Sequence, residues 1–187
     1  MRRLVFIVSL LGIVASGPAL ARDTRPSLCT GQEVTVFSCS IGAKVVSLCA
    51  TPDLAEETGR LTYRFGRKGA VELTYPEAEG PAKNHFIYST VGAAGGDFVR
   101  FSRGGTTYTV EFSDGPRLRH FAGVTVHRGA KRIAEMRCRE RWPLGERGYT
   151  PLYPAKLPGG LYEIEDEASP LPDDLRPAPQ CAPGEGS

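Results

Sequence analysis

The sequence has almost no surplus of either charge: 23 Lys and Arg stand against 21 Asp and Glu in 187 residues. Two of those cations, Arg2 and Arg3, precede an apolar run from Leu4 to Val14 that ends in Ala19-Leu20-Ala21, the small-x-small form of a secretory cleavage site. Residues 1–21 therefore read as a signal peptide, and the mature chain is close to neutral. A near-neutral chain argues against a nucleic-acid binder and against a polybasic membrane anchor. After the leader no apolar stretch approaches the roughly 18 residues needed to cross a bilayer, so no transmembrane segment is expected. The expected location is periplasmic or secreted, in a Gram-negative bacterium.

Reactive motifs are also missing. No two cysteines have the two-residue spacing of a redox motif or a zinc knuckle, which argues against a metal site. The Gly-x-Ser-x-Gly elbow of a serine hydrolase is absent. Gly95-Gly96 and Gly104-Gly105 fall in hairpin turns rather than before a helix, so they make no phosphate cradle and imply no cofactor. His120 and His127, seven apart on or near one strand, point to opposite faces, and His85 is expected to face solvent. Glu72, Glu111 and Glu135 read as strand-face carboxylates with no mark of paired acid and base. The chain is read as a non-enzyme.

What the sequence does contain is alternation. From Cys29 to Gly148 the dominant period is two, with turn residues every 8 to 12 positions, which predicts an all-β antiparallel meander of about eight or nine strands. Closing such a meander into a small barrel or strongly curved sheet removes exposed edges, and a two-sheet sandwich is the alternative. Gly42-Ala43 turns a first hairpin that pairs Phe37 with Leu48 and Cys39 with Val46. A three-residue turn at Arg67-Lys68-Gly69 pairs Phe65 with Val71, Tyr63 with Leu73 and Leu61 with Tyr75, leaving Arg64 opposite Glu72 on the wet side. Phe86, Phe101 and Tyr108 form one core layer and Tyr88, Val99 and Val110 another, with Ile87, Arg100 and Thr109 outside. A last hairpin around Arg128-Gly129-Ala130 turns Val124, Val126, Ala134 and Met136 inward. Residues 1–21, 22–28, 29–148 and 149–187 are thus signal peptide, linker, β-domain and a Pro-rich acidic tail. Nine of the 15 prolines fall at or after Pro143, eight of them in the tail, which lacks sustained alternation and is expected to be largely disordered.

Five cysteines follow the leader, and export favours disulfides with one left over. The first hairpin puts Cys39 on the core face and Cys49 on the opposite one. The preferred pairs are Cys39 with Cys138 and Cys29 with Cys49, leaving Cys181 free. Charge is segregated too: from Arg100 to Arg147 there are 11 cationic residues against 5 acidic, and from Gly148 onward 2 against 7. Either the acidic tail, especially Glu163 to Glu167, lies over the basic half, or both are solvated. Arg128, Lys131, Arg132, Arg137, Arg139, Arg141 and Trp142 are the candidate binding residues. One reading makes them a patch for an acidic protein or an anionic envelope polymer, and the other makes them ordinary outward strand charge.

Val36-Phe37-Ser38-Cys39, Val46-Ser47-Leu48-Cys49-Ala50 and Leu61-Thr62-Tyr63-Arg64-Phe65-Gly66 together resemble a family of uncharacterised exported bacterial proteins, from which no activity carries over. In plan, a leader followed by a disulfide-stapled β-domain, the chain is also similar to periplasmic inhibitors of C-type lysozyme. That likeness implies a small barrel and, as an alternative function, inhibition of a lysozyme or another hydrolase. The Ser-Gly-x-x-Tyr loop of those inhibitors is met only in part, by Ser40 to Lys44 and by Gly104 to Tyr108.

Overall fold

The computed structural model describes residues 26–55, 58–91, 95–115, 118–140 and 172–176. Nine strands follow one another in chain order: β1 (Val34–Ile41), β2 (Lys44–Ala50), β3 (Leu61–Arg67), β4 (Ala70–Tyr75), β5 (Ile87–Val91), β6 (Gly96–Arg103), β7 (Thr106–Ser113), β8 (Phe121–Arg128) and β9 (Lys131–Arg137). They form two antiparallel sheets, β1-β2-β3-β4 and β5-β6-β7-β8-β9. No closed barrel forms among the described strands. Among the described residues no helix is long and apolar enough to cross a membrane.

Alternation decides what each sheet buries. Phe37, Val46, Leu48 and Tyr63 from the first sheet and Tyr88, Phe101, Val110 and Val124 from the second share one core. An aromatic column ties the two together. Tyr75 of β4 stacks on Phe101 of β6 at 4.3 Å between ring centroids, and Phe101 stacks on Tyr108 at 4.9 Å. Offset stacking of this kind adds about 0.5–1.5 kcal/mol per pair beyond area burial. At the seam between β1 and the end of β9, the Cys39–Cys138 disulfide and a hydrogen bond from the Arg139 N–H to the Ser40 carbonyl join the sheets. The second disulfide, Cys29–Cys49, lies on the outer face of the first sheet.

Most expected registers are present. Phe37 faces Leu48 and Cys39 faces Val46. Tyr88 faces Val99, Val99 faces Val110, and Phe101 faces Tyr108. Val124 faces Met136 and Val126 faces Ala134. Phe86 precedes β5 but still packs edge-on against Phe101.

The β3–β4 hairpin differs from expectation. Tyr63 pairs with Tyr75 and Phe65 with Leu73, because β4 carries an extra residue, Glu72, in a bulge beside Gly66 and the turn shortens to Lys68-Gly69. Gly66 has φ +146°, and a Cβ there would lie 2.6 Å from the Glu72 nitrogen, so only glycine admits this approach. The consequence is that Val71 is 44% exposed rather than in the core. Arg64 then faces Thr74, and Glu72 pairs instead with Lys44 at 2.6 Å.

Two flanking segments are tied to the sheets. The Ser38 hydroxyl donates to the Pro26 carbonyl at 2.6 Å, and the Leu28 N–H donates to the Ser47 hydroxyl at 3.0 Å, so residues 26–28 belong to the domain. Within the Pro-rich stretch, Asp173–Leu175 forms a 3-10 turn whose Leu175 is 2% exposed and packs on Phe98. The rest of that stretch, with Glu163 to Glu167 and Cys181, lies outside the described residues, as do residues 1–21.

Candidate functional site

The outer face of the five-stranded sheet is not the wet surface its polar residues suggest. Strand pairing sets out two rows across it. Ser89, Phe98, Glu111, Gly123 and Arg137 form one, and Ile87, Arg100, Thr109, Thr125 and Glu135 the next. Arg100, Glu111, Thr109 and Thr125 are all buried. A third row carries Ser102, Thr107 and His127, the last only 1% exposed.

The buried carboxylate of Glu111 on this face is paired, as its desolvation requires. The Arg119 guanidinium donates to both oxygens of Glu111, at 2.6 and 3.2 Å, and to Glu135 at 2.6 Å. Burial disfavours the Arg119 cation, yet these carboxylates hold its pKa above the ordinary arginine value. Glu111 is therefore a buried structural anion, not the solvated charge its strand position implied. From Glu135 the network continues to Arg132 at 2.7 Å, and from Arg132 to Asp174 at 3.5 Å. Asp174 also meets His127 Nε2 at 3.0 Å.

The candidate basic residues divide between the two ends of β9. Arg128 and Lys131 flank the hairpin tip, are exposed, and have no ion pair among the described residues. Arg132 is engaged by Glu135 and Asp174. About 16 Å along the strand, at ~3.3 Å per residue, Arg137 lies over the Phe121 ring at 4.7 Å and donates to the His120 carbonyl at 2.8 Å. Arg137 and Arg139 help line a hollow of about 600 Å³ that also contains Glu140. Burial raises the Glu140 carboxyl, but hydrogen bonds from Ser40 outweigh it and hold the group below the ordinary carboxylate value. Arg141 and Trp142 lie outside the described residues.

A larger cavity, about 930 Å³, opens where β5 begins at Ile87, opposite Arg100, while β6 runs on to Arg103. Its wall includes Lys83, Arg100, His127, Arg132, Asp174 and Arg176. His127 binds the Asp174 carboxylate through Nε2, while its buried Nδ1 has no hydrogen-bond partner. A histidine and carboxylate need a third group to do nucleophilic chemistry, and among the described residues no hydroxyl or thiol bonds that nitrogen. His85 is not the solvent-facing ring expected: its Nε2 is buried, against the space beside Gly80. Cys29, Cys49 and Glu33 bring ligand-type atoms within 4.8 Å of one another, but the sulfurs are joined as a disulfide and Glu33 chelates Arg64. Metal binding requires thiolates, so this cluster is structural.

Sequence reasoning singled out the basic strand residues but not their partners. Asp174 and Leu175 are single residues in a stretch without alternation, and a lone leucine between charges carries no periodic signal. The segregation of acidic from basic residues was the available hint. No family model, curated protein or solved structure matches the chain.

Proposed function

We propose that this chain is an exported, non-enzymatic β-domain that binds an acidic protein or an anionic envelope polymer through the β8–β9 hairpin and the cavity beside it. The observation that carries this reading is that the hairpin already holds an acidic side chain, Asp174, between His127 and Arg132, while Arg128 and Lys131 beside them remain exposed and without a carboxylate among the described residues. Exposed arginine and lysine of this kind steer an acidic partner and set orientation more than they add affinity. Export is supported by the leader-like residues 1–21 and by two disulfides, which persist in oxidising compartments.

The test is retention on immobilised polyglutamate as a function of salt, for the wild-type chain and for the Arg128→Glu, Lys131→Glu double variant. Wild type is expected to bind at low salt and elute as screening increases, since the Debye length shrinks from ~10 Å at 0.1 M to ~3 Å at 1 M. The double variant should lose most of that retention with its thermal midpoint unchanged. Equal retention of the two proteins would reject the hairpin as the contact.

A further inference from the structure

Each sheet has a flanking segment anchored on its outer face, and the two are held differently. On the first sheet, residues 26–33 are fixed by the Cys29–Cys49 disulfide and by Arg64, which donates to both Glu33 oxygens at 2.7 and 2.9 Å. On the second, Pro172–Arg176 is held by contacts that can dissociate: Leu175 on Phe98 and Leu118, and Asp174 on His127 and Arg132. The first cover satisfies the polar groups under it, since Ser38 and Ser47 bond each other and the covering backbone. The second does not. The hydroxyls of Thr109 and Thr125 and the Nδ1 of His127 are buried without a hydrogen-bond partner. By register, the two threonines occupy the row between Phe98 and His127, the two anchor points. A buried unsatisfied group of this kind costs ~1–3 kcal/mol, so a better-matched occupant has room to outbind the present one.

We propose that the outer face of β6, β7 and β8 is a docking groove for an extended acidic peptide of a partner protein, with a carboxylate next to a leucine-sized side chain, and that Pro172–Arg176 occupies it as the chain's own competing ligand. The inference rests on the acidic-partner reading above and specifies that partner's side-chain pattern. His127 and Arg132 take the carboxylate. Phe98 and Leu118 take the apolar residue. The two threonine hydroxyls are available to a longer peptide's backbone.

The test uses the full chain and a fluorescent peptide of residues 170–178, Pro-Leu-Pro-Asp-Asp-Leu-Arg-Pro-Ala. In wild type the tethered segment competes, and a site closed nine-tenths of the time binds ~tenfold more weakly than an open one. The full-length Asp174→Ala, Leu175→Ala variant is therefore expected to bind the peptide at least ~tenfold more tightly than wild type. Adding Arg132→Glu to that variant should abolish the gain. The milder Asp174→Asn chain serves the same comparison if the double variant melts early. Equal affinity in wild-type and opened chains, or a gain indifferent to Arg132→Glu, would overturn the proposal. So would wild-type dimers that Leu175→Ala abolishes, because they would assign the segment to a second copy. Polyglutamate, which lacks leucine, is run in parallel. Binding of polyglutamate without the peptide rejects the groove and keeps the acidic-partner reading, and binding of neither rejects both.

Discussion

The two sheets carry the same kind of side chains on their outer faces and use them in opposite ways. On the four-stranded sheet, Ser38, Ser47 and Arg64 share one row, and each meets a partner on residues 26–33. On the five-stranded sheet, Thr109 and Thr125 are as deeply buried, and their hydroxyls meet none. The first face is a finished interior, closed covalently. The second retains unmet hydrogen-bonding capacity beside a segment held only by noncovalent contacts. Composition does not separate a structural face from a binding face here; the accounting of polar partners does.

Removing the disulfides tests this contrast most strongly. Cross-links stabilise by restricting the unfolded chain, and a 100-residue loop is worth ~4.7 kcal/mol against ~3 for a 15-residue one on the chain-entropy model. Replacing Cys39 and Cys138, 99 apart, by serine is expected to lower unfolding free energy by ~4–5 kcal/mol. Replacing Cys29 and Cys49, 20 apart, should cost ~3 kcal/mol and free the N-terminal cover as well. Urea midpoints give both values. A larger loss for the shorter loop would show that residues 26–33 contribute more to the fold than the seam between the sheets.

The covalent cover also has a pH signature. Burial raises the Glu33 carboxyl, but Arg64 and the Thr30 N–H outweigh it, and its pKa lies below the ordinary value. A carboxylate depressed in the folded state contributes stability that is present above the unfolded value near 4.5 and is lost as pH falls through the folded value. Glu33→Gln is expected to cost ~1.5–3 kcal/mol at pH 7, the range for hydrogen bonds to charged groups. It should leave a flatter acid-unfolding profile than wild type. Parallel profiles would mean the ion pair is as strong in the unfolded chain.

Much of this architecture is legible in side-chain alternation, for identifiable reasons. Gly42-Ala43 admits one tight turn, and that turn alone puts Cys39 and Cys49 on opposite faces and so separates the two disulfides. The β6–β7 register follows the same way from Gly104-Gly105. The β3–β4 register is not legible, because the bulge at Gly66 depends on how closely the β4 backbone approaches, which no local pattern encodes. The candidate site was half visible. Lys131 is readable as an outward cation from parity, but Arg128 and Arg132 share the parity of the inward Val126 and Ala134, and Arg132 comes opposite His127 only through the register shift after Val126. Asp174 reaches His127 across 47 residues of chain without any period to announce it. Glu111 shows the same limit: a strand-face carboxylate looks solvated until Arg119 is seen to cover it.

A smaller effect is expected at the second cover. Leu→Ala in a packed core costs ~2–5 kcal/mol because a cavity remains. A segment free to lift away leaves none. Leu175→Ala should therefore shift the global urea midpoint by less than ~1 kcal/mol, since its loss is local opening rather than global unfolding. Amide exchange should report it instead. The Leu175 N–H donates to the Pro172 carbonyl at 2.8 Å, and its exchange is expected to speed by at least ~tenfold in the variant. A full core-sized loss would make Pro172–Arg176 as integral as residues 26–33.

The smallest expected change is also the most discriminating, because the two sheets predict different signs. Ser47 accepts from the Leu28 N–H and bonds the Ser38 hydroxyl, so Ser47→Ala leaves buried groups unpaired and should cost ~1–3 kcal/mol. Thr125 is buried to the same degree, but its hydroxyl makes no hydrogen bond. Thr125→Val keeps the shape and removes only the desolvated oxygen. It is expected to be neutral or stabilising by up to ~1 kcal/mol, since replacing an unsatisfied polar group by an apolar isostere relieves its penalty. A β-branched valine also suits strand β8. Carried into the opened Asp174→Ala, Leu175→Ala chain, the same substitution should leave capture of the 170–178 peptide unchanged, because that segment leaves the hydroxyl unmet, and should weaken capture of a longer acidic peptide whose backbone reaches it. Gain of stability together with loss of binding of the longer peptide is the signature of a group kept for a partner. A destabilised Thr125→Val chain would instead make this face structural in the way the first sheet's is.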